Sequence, residues 1–239
     1  MTMRTRLSRF LLAQWLVVVS VVLLLAIVSA SASAQRASSP EAPATVIFTL
    51  DFPQSDPSHY SIAVDATGHA SYECTAKVQE DSEEQAYRAE FTVSAGNRER
   101  IFEWTKQAKY FSGKIESGNQ KLAFTGAKTL SYQDGQRSLT ARYNYSSLEP
   151  VQQLTSLFQN IAGTQDYGRR LAYFHRYQKL ALDEELKRME AQAKNNELSE
   201  IQGVATVLRE IVDDTSVINV VRARAKGLIL MGSAAANGH

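Results

Sequence analysis

Apolar and polar side chains alternate with a period of two over the first part of the chain, a pattern that predicts β-strands. It covers residues 46–52, 60–64, 72–78 and 87–93, and it returns on both sides of Asp134-Gly135. A turn at residues 65–68 joins the second and third segments into a hairpin, because Gly68 accepts a left-handed backbone. Asp134-Gly135 predicts a second hairpin with a two-residue turn, in which Leu130 lies opposite Leu139.

Steps of three and four residues predict helices elsewhere. One helix runs from Ser94, its N-cap, to Tyr110 and ends before Gly113. After Tyr145 the pattern is helical throughout. Further helices are predicted over 147–163 (capped by Ser147 and ended by Gly163), 164–193 (ended by Asn195-Asn196), 198–212, and onward from a cap at 213–216.

Strands followed by helices indicate an α+β fold rather than an alternating α/β one. We predict an antiparallel β-sheet of about 5–6 strands with a covering helix over residues 45–146. A C-terminal helical hairpin or bundle follows over residues 147–231, and residues 232–239 are expected to form a disordered tail. Docking of the helical region on the sheet is left open by the sequence.

The N-terminal segment predicts export. Three arginines precede an uncharged apolar stretch at residues 10–28, and Ala32-Ser33-Ala34 fits the small-x-small pattern of a signal-peptidase site. We expect cleavage before Gln35, with residues 35–44 as a flexible linker and a periplasmic or extracellular mature protein. The alternative is an N-terminal anchor in the cytoplasmic membrane, because residues 10–28 nearly match the length of a membrane-spanning helix.

Net charge and cysteine content exclude some classes of function and one kind of stabilisation. Removal of residues 1–34, which carry three arginines and no acid, changes the formal net charge from +1 to −2. A near-neutral chain lacks the basic face that nucleic-acid binding requires. Cys74 is the single cysteine, so an internal disulfide cannot form, and its place on the apolar side of a strand predicts burial.

Catalytic and metal-binding motifs are absent from the sequence. It contains no Gly-x-Ser-x-Gly, Ser-x-x-Lys, phosphate-binding glycine loop or His-Glu-x-x-His, and none of its four histidines has metal-ligand spacing with a second ligand. We therefore expect no cofactor and no metal.

One candidate interaction patch lies on the long helix. Tyr173, His175, Arg176 and Tyr177 combine aromatic and basic side chains, which suits an acidic or aromatic ligand. The alternative is that Phe174 belongs to the core and its neighbours merely lie at the edge of that core.

Two resemblances concern parts of the chain. "YSIAVDATGHASYEC" and "RIFEWTKQAKYF", between Tyr60 and Phe111, resemble an uncharacterised exported bacterial domain family of unknown function, which implies a fold pattern without an activity. "DDTSVINVVRARAKGLIL" resembles the second helix of a HEAT-type repeat, which implies packing of the last helix on residues 198–212.

The sequence thus favours a non-enzymatic exported module that binds an unknown protein or envelope component. Two alternatives stay open. One is an envelope hydrolase or ligand carrier whose site gathers His59, His69 or His175 with a carboxylate. The other is a membrane-tethered structural protein, attached through residues 10–28. The oligomeric state does not follow from the sequence.

Overall fold

Six antiparallel strands form one sheet in the computed structural model, which describes residues 43–77, 83–119 and 121–237. The strands are β1 (Thr45–Asp51), β2 (His59–Asp65), β3 (His69–Ala76), β4 (Gln85–Thr92), β5 (Ala127–Gln133) and β6 (Ser138–Tyr143). Their order in the sheet is β4-β3-β2-β1-β5-β6. The predicted antiparallel sheet is confirmed, with β4 and β6 at its edges.

The helices follow the predicted segregation. They are α1 (Ala95–Gln107), α2 (Glu149–Tyr177), α3 (Leu182–Lys194), α4 (Ala205–Asp213) and α5 (Asn219–Asn237), with short 3₁₀ turns at Lys109–Phe111, Lys179–Ala181 and Ile201–Val204. The α+β class and the C-terminal helical region are therefore confirmed. Within the described residues, no helix combines the length and the hydropathy of a bilayer-spanning segment.

The period of two in the strands decides which sheet face is covered. Phe48, Ile62, Tyr72 and Leu130 are fully buried on one face, under α1 and α2, whereas the alternate positions are small, polar or charged except for Ile47. Phe158 of α2 stacks on Phe48 with ring centroids 5.4 Å apart. Each such side chain contributes about 1.5–3 kcal/mol through burial.

Helix α2 is longer than predicted. We expected a break at Gly163 and a cap at Ser147, but the helix begins after Leu148 and continues through Gly163 to Tyr177. A mid-helix glycine costs only about 1 kcal/mol, which tertiary packing overrides. Because of this continuity, the first half of α2 packs on the sheet, while Tyr167 and Leu171 join a second core formed by α3, α4 and α5.

The register of the β5–β6 hairpin also differs from the prediction. Leu139 lies opposite Tyr132, not opposite Leu130. The Asp134 carboxylate accepts hydrogen bonds from the backbone N–H groups of Gln136 and Arg137, so the turn forms one residue later than expected. The shift of two residues leaves each side chain on its predicted face.

The last helix starts later and ends later than predicted. Asp214 accepts hydrogen bonds from the backbone N–H and the hydroxyl of Ser216, and this turn precedes α5 rather than capping it. At the other end the helix continues to Asn237. Gly232 is buried, and a Cβ placed there would lie 3.0 Å from the backbone nitrogen of Gln202, so the helix packs on the Ile201–Val204 turn at this position, within the segment predicted as a tail.

Some predictions lie outside the described residues. They are the signal peptide or anchor at residues 1–34, most of the linker at 35–44, and the last two residues of the chain.

Glu200 connects the helical region to the sheet. Its carboxylate, only 5% exposed, accepts hydrogen bonds from the Ser94 backbone N–H (3.0 Å), the Ser94 hydroxyl (2.8 Å) and the Asn97 amide (2.6 Å), and also from Gln202. Ser94 was correctly predicted as the N-cap residue, although its side chain bonds Glu200 and not the helix backbone. A negative charge at this end of α1 is also favourable to the helix dipole.

Replacing the Glu200 carboxylate with an amide should destabilise the protein. In Glu200→Gln, an NH2 group faces donors that formerly met an oxygen, and we expect a loss of about 1–3 kcal/mol in the free energy of unfolding. Urea denaturation measures this loss. Glu197→Gln, at an exposed position, is the control, and equal stability of the two variants would contradict the role assigned to Glu200.

Two glycines of α2 should respond differently to alanine. A Cβ at Gly168 would lie 2.5 Å from Val204 Cγ1, whereas one at Gly163 would lie 3.3 Å from the end of the Leu198 side chain. We expect Gly168→Ala to lose about 1–3 kcal/mol through overpacking. Gly163→Ala should stay within about 1 kcal/mol of wild type, because better helix propensity offsets the tight contact. Thermal unfolding of both variants tests this order.

Candidate ligand-binding groove

The predicted patch occupies the last turn of α2. Tyr177 and Arg176 are exposed, Tyr173 and His175 are half-buried, and the Tyr173 and Tyr177 rings lie 5.0 Å apart. Phe174 packs against the second core. His175 Nε2 lies 2.9 Å from the Asp214 carboxylate, which also accepts a 2.5 Å hydrogen bond from Lys179. The four patch residues are thus close together, with His175 turned towards a carboxylate of the α4–α5 connection.

The histidines of the hydrolase hypothesis are not gathered in one pocket. His59 pairs with Asp51 at 2.6 Å, and His69 pairs with Glu90 at 3.1 Å. They stand at opposite ends of β3, since His59 lies opposite Thr75 and His69 begins the strand. Among the described residues, no cluster of His, Cys, Asp and Glu has the geometry of a metal site.

Cys74 is buried, as predicted, at 4% exposure. Burial raises the pKa of its thiol, which opposes formation of the reactive thiolate.

A concavity with a mainly apolar lining lies between α1 and Tyr132 of the β5–β6 hairpin. This aromatic groove, about 680 Å³ in volume, is lined by Phe102, Trp104, Tyr110 and Tyr132, together with four charged residues of α1. Its size is in the range of ligand pockets, and aromatic rings with nearby polar groups are the usual lining of such sites. No sequence motif marks Trp104 as part of a site, and the structure leaves it half-buried at the groove.

A left-handed turn places Tyr110 in this groove. Lys109, Tyr110 and Phe111 have φ angles of 52°, 56° and 64°. Each non-glycine residue in this conformation costs roughly 1–2 kcal/mol. Burial of Phe111, at 2% exposure, offsets part of that cost and leaves Tyr110 directed at Tyr132, with ring centroids 4.8 Å apart. Strain of this kind concentrates at functional sites.

Arg137 completes the aromatic end of the groove. Its guanidinium lies 4.0 Å from the Tyr110 ring centroid and 5.2 Å from that of Tyr132. Two hydrogen bonds, of 2.9 and 2.7 Å, hold it on the Asp134 carboxylate, which also accepts the Tyr132 hydroxyl at 2.9 Å. The Arg137 hydrogen bonds are the main reason that the pKa of Asp134 is well below its usual range. Desolvation and the bond to Asp134 raise the pKa of Tyr132.

The edge strand β6 lies next to Tyr132, the residue of β5 that lines the groove, and contributes no lining residue of its own. Tyr132, a lining residue, pairs with Leu139 of β6, and β6 also contacts the Lys109–Phe111 turn. Asp134 N–H bonds the Arg137 carbonyl, which marks a hydrogen-bonded pair. By the alternation of an antiparallel ladder, Ser138, Thr140 and Arg142 then direct their backbone groups away from β5. Within the described part of the chain, β6 pairs with β5 alone.

The opposite edge of the sheet is different. Arg88 of β4 forms ion pairs with Glu73 and Glu90, and Glu90 also meets His69. Charged side chains of this kind protect a strand edge from pairing. A smaller concavity of about 430 Å³ also lies at β4, beside Tyr87 and Arg88, so the two edges differ in the ion pairs on β4 and in the aromatic rings near β6.

Comparison with known proteins does not assign this chain to a family. No family model matches the sequence, and no curated protein matches it.

The hydrogen bonds that Asp134 accepts from Arg137 and Tyr132 should be sensitive to acid. Because the folded-state pKa of Asp134 is lowered, its stabilisation is present above the unfolded pKa of about 3.9 and is lost as the pH falls further. We expect Asp134→Asn to be less stable than wild type at pH 7 and the gap to shrink below about pH 4. Chemical denaturation at several pH values measures the gap. Asp213→Asn, at an exposed carboxylate, is the control, and a gap that does not depend on pH would contradict the prediction.

Proposed function

We propose that this protein is a non-enzymatic binding module that acts outside the cytoplasm. Its ligand is an extended peptide segment of another envelope or extracellular protein. The peptide adds to the edge of β6 and places one or two side chains in the aromatic groove.

The observation that carries this proposal is the adjacency of the groove to an unpaired strand edge. An added strand obtains affinity from main-chain hydrogen bonds, and pockets for alternate side chains provide specificity. Ser138, Thr140 and Arg142 offer the backbone groups, while Trp104 and Tyr110 offer rings that an apolar or cationic side chain can contact.

The charges of the groove favour a peptide without a strong charge bias. Glu99 and Glu103 alternate with Arg100 and Lys106 along the exposed side of α1. A mixed surface of this kind neither attracts nor repels a polyanion at long range, in agreement with the near-neutral composition. The ligand is then selected by shape and by aromatic contact.

The cellular location in this proposal rests on the N-terminal sequence. The arginines, the apolar stretch and Ala32-Ser33-Ala34 support export with either a cleaved leader or a retained anchor. Both place the groove on the far side of the membrane.

The proposal is tested with one position on β6. Thr140→Pro removes the outward N–H, which an edge strand tolerates, whereas Thr140→Val keeps that N–H and removes the same hydroxyl. A decapeptide selected from a random phage-displayed library on the exported protein serves as the probe. Binding is followed by the fluorescence of Trp104, the only tryptophan beyond residue 15.

We expect Thr140→Pro to weaken peptide binding by about tenfold or more, which corresponds to one lost hydrogen bond and local distortion. Thr140→Val should bind like wild type. Equal affinities of the proline and valine variants would exclude strand addition at β6. Peptides whose binding leaves Trp104 fluorescence unchanged and resists Tyr110→Ala would exclude the groove.

A further inference from the structure

A second concavity lies at the other end of β6. This polar cleft, about 460 Å³ in volume, is bordered by the end of β6, by the first turns of α2 and by Lys128 of β5. Its lining consists of hydroxyl and amide side chains, among them Tyr143, Gln152, Thr155 and Gln159, with Lys128 as its one charged residue.

Lys128 is a buried cation without a carboxylate in contact. The residue is 5% exposed, because it lies on the covered face of the sheet. Its ammonium meets the Thr125 hydroxyl at 2.9 Å and the carbonyl oxygens of Asn144, Thr125 and Gly126 at 3.0, 3.3 and 3.4 Å. Among the described residues, no carboxylate lies within ion-pair distance of it. Burial lowers the pKa of Lys128.

The carboxylate that opposes the lowering of the Lys128 pKa belongs to Glu116, which is hydrogen-bonded to backbone groups of its own loop. Glu116 attracts the ammonium, yet its carboxylate accepts the backbone N–H groups of Asn144 at 2.6 Å and Gly118 at 3.2 Å. These bonds lower the pKa of Glu116 and hold it as an anion on the loop. Carbonyl and hydroxyl dipoles and a charge at a distance therefore stabilise the lysine, and no direct ion pair occupies its ammonium.

The ammonium can exchange partners. Four oxygens share three N–H bonds, and two of the contacts, to the Thr125 and Gly126 carbonyls, are longer than a strong charge-assisted hydrogen bond. An anionic oxygen in the cleft would replace these long contacts with a short one. Gln152 and Tyr143 already hold internal partners, but Ser156 and Gln159 are exposed at the rim and suit ligand hydroxyl or amide groups.

We infer that this cleft is a second ligand site, which takes a small polar organic molecule bearing a carboxylate or a phosphate ester against Lys128. The volume exceeds what an inorganic oxyanion fills, and the uncharged polar lining fits a hydroxylated remainder. The site is independent of the peptide groove proposed above, because the two share no lining residue.

The test is an NMR titration of the exported protein with four probes: glycolate, glycerol 1-phosphate, inorganic phosphate and glycerol. We expect amide shifts at Lys128, Asn144 and Thr155 with glycolate or glycerol 1-phosphate, which distinguishes the two head groups, and none with glycerol. Shifts with inorganic phosphate alone, or with no probe, would overturn the inference.

Variants separate a ligand site from a purely structural lysine. Lys128→Gln should weaken binding roughly 10- to 100-fold, as expected for a hydrogen bond to a charged group, whereas Lys121→Gln on the nearby loop should leave it unchanged. Gln159→Ala removes an exposed rim residue that the fold does not need, so it serves where Lys128→Gln fails to fold. We expect a several-fold loss of affinity for the organic probes in this variant. Wild-type affinity in Gln159→Ala or in a folded Lys128→Gln would contradict the inference.

Discussion

One continuous helix, α2, joins the two hydrophobic cores of the molecule. Its 29 residues bury Val151, Leu154 and Phe158 on the sheet and Leu171 among the C-terminal helices. A helix rises by about 1.5 Å per residue, so both cores are fixed at a set distance and rotation along one rigid element. Displacement of one core therefore has to move or bend the other, and the glycine at position 168 marks where a 3₁₀ turn comes closest to the helix.

Buried charges connect α2 to α3 and to the residue that follows β3. Asp166, which is 6% exposed, accepts two hydrogen bonds from Arg169 and forms an ion pair with Arg170. Arg170 also donates a 2.5 Å hydrogen bond to Glu185 of α3. Arg169 in turn donates to the Lys77 carbonyl beyond β3 at 2.8 Å. Such networks contribute little net stability, because desolvation offsets attraction, but an incorrect docking would leave charges unpaired. The network and Glu200 thus favour one orientation of the helical region over other orientations that apolar contacts alone would allow.

The pattern of apolar and polar residues predicted the features of the fold that depend only on residues close in sequence. Alternation gave the strands and the covered face, since Val46, Phe48 and Leu50 need only a period of two to select a side. It could not predict that α2 passes Gly163, because that depends on Leu198 and the whole second core. The hairpin register depended on which turn position Asp134 takes, and this followed from its side-chain hydrogen bonds. Neither is visible in a hydrophobicity pattern.

The candidate site was less accessible to prediction than the fold, for a physical reason. The pattern predicted a regular helix through Tyr110, whereas α1 ends at Gln107 and a left-handed turn follows at 109–111. This turn is unfavourable for each of its residues, so a sequence rule based on average preference argues against it. Its cost is offset by contacts that come from elsewhere in the chain, namely Tyr132, Arg137 and the cavity filled by Phe111. The strained turn, the stacked Arg137 and an edge strand lie together beside β6, whereas the edge strand β4 carries exposed ion pairs. These features come from separate parts of the chain, so no local pattern could indicate that they meet beside β6.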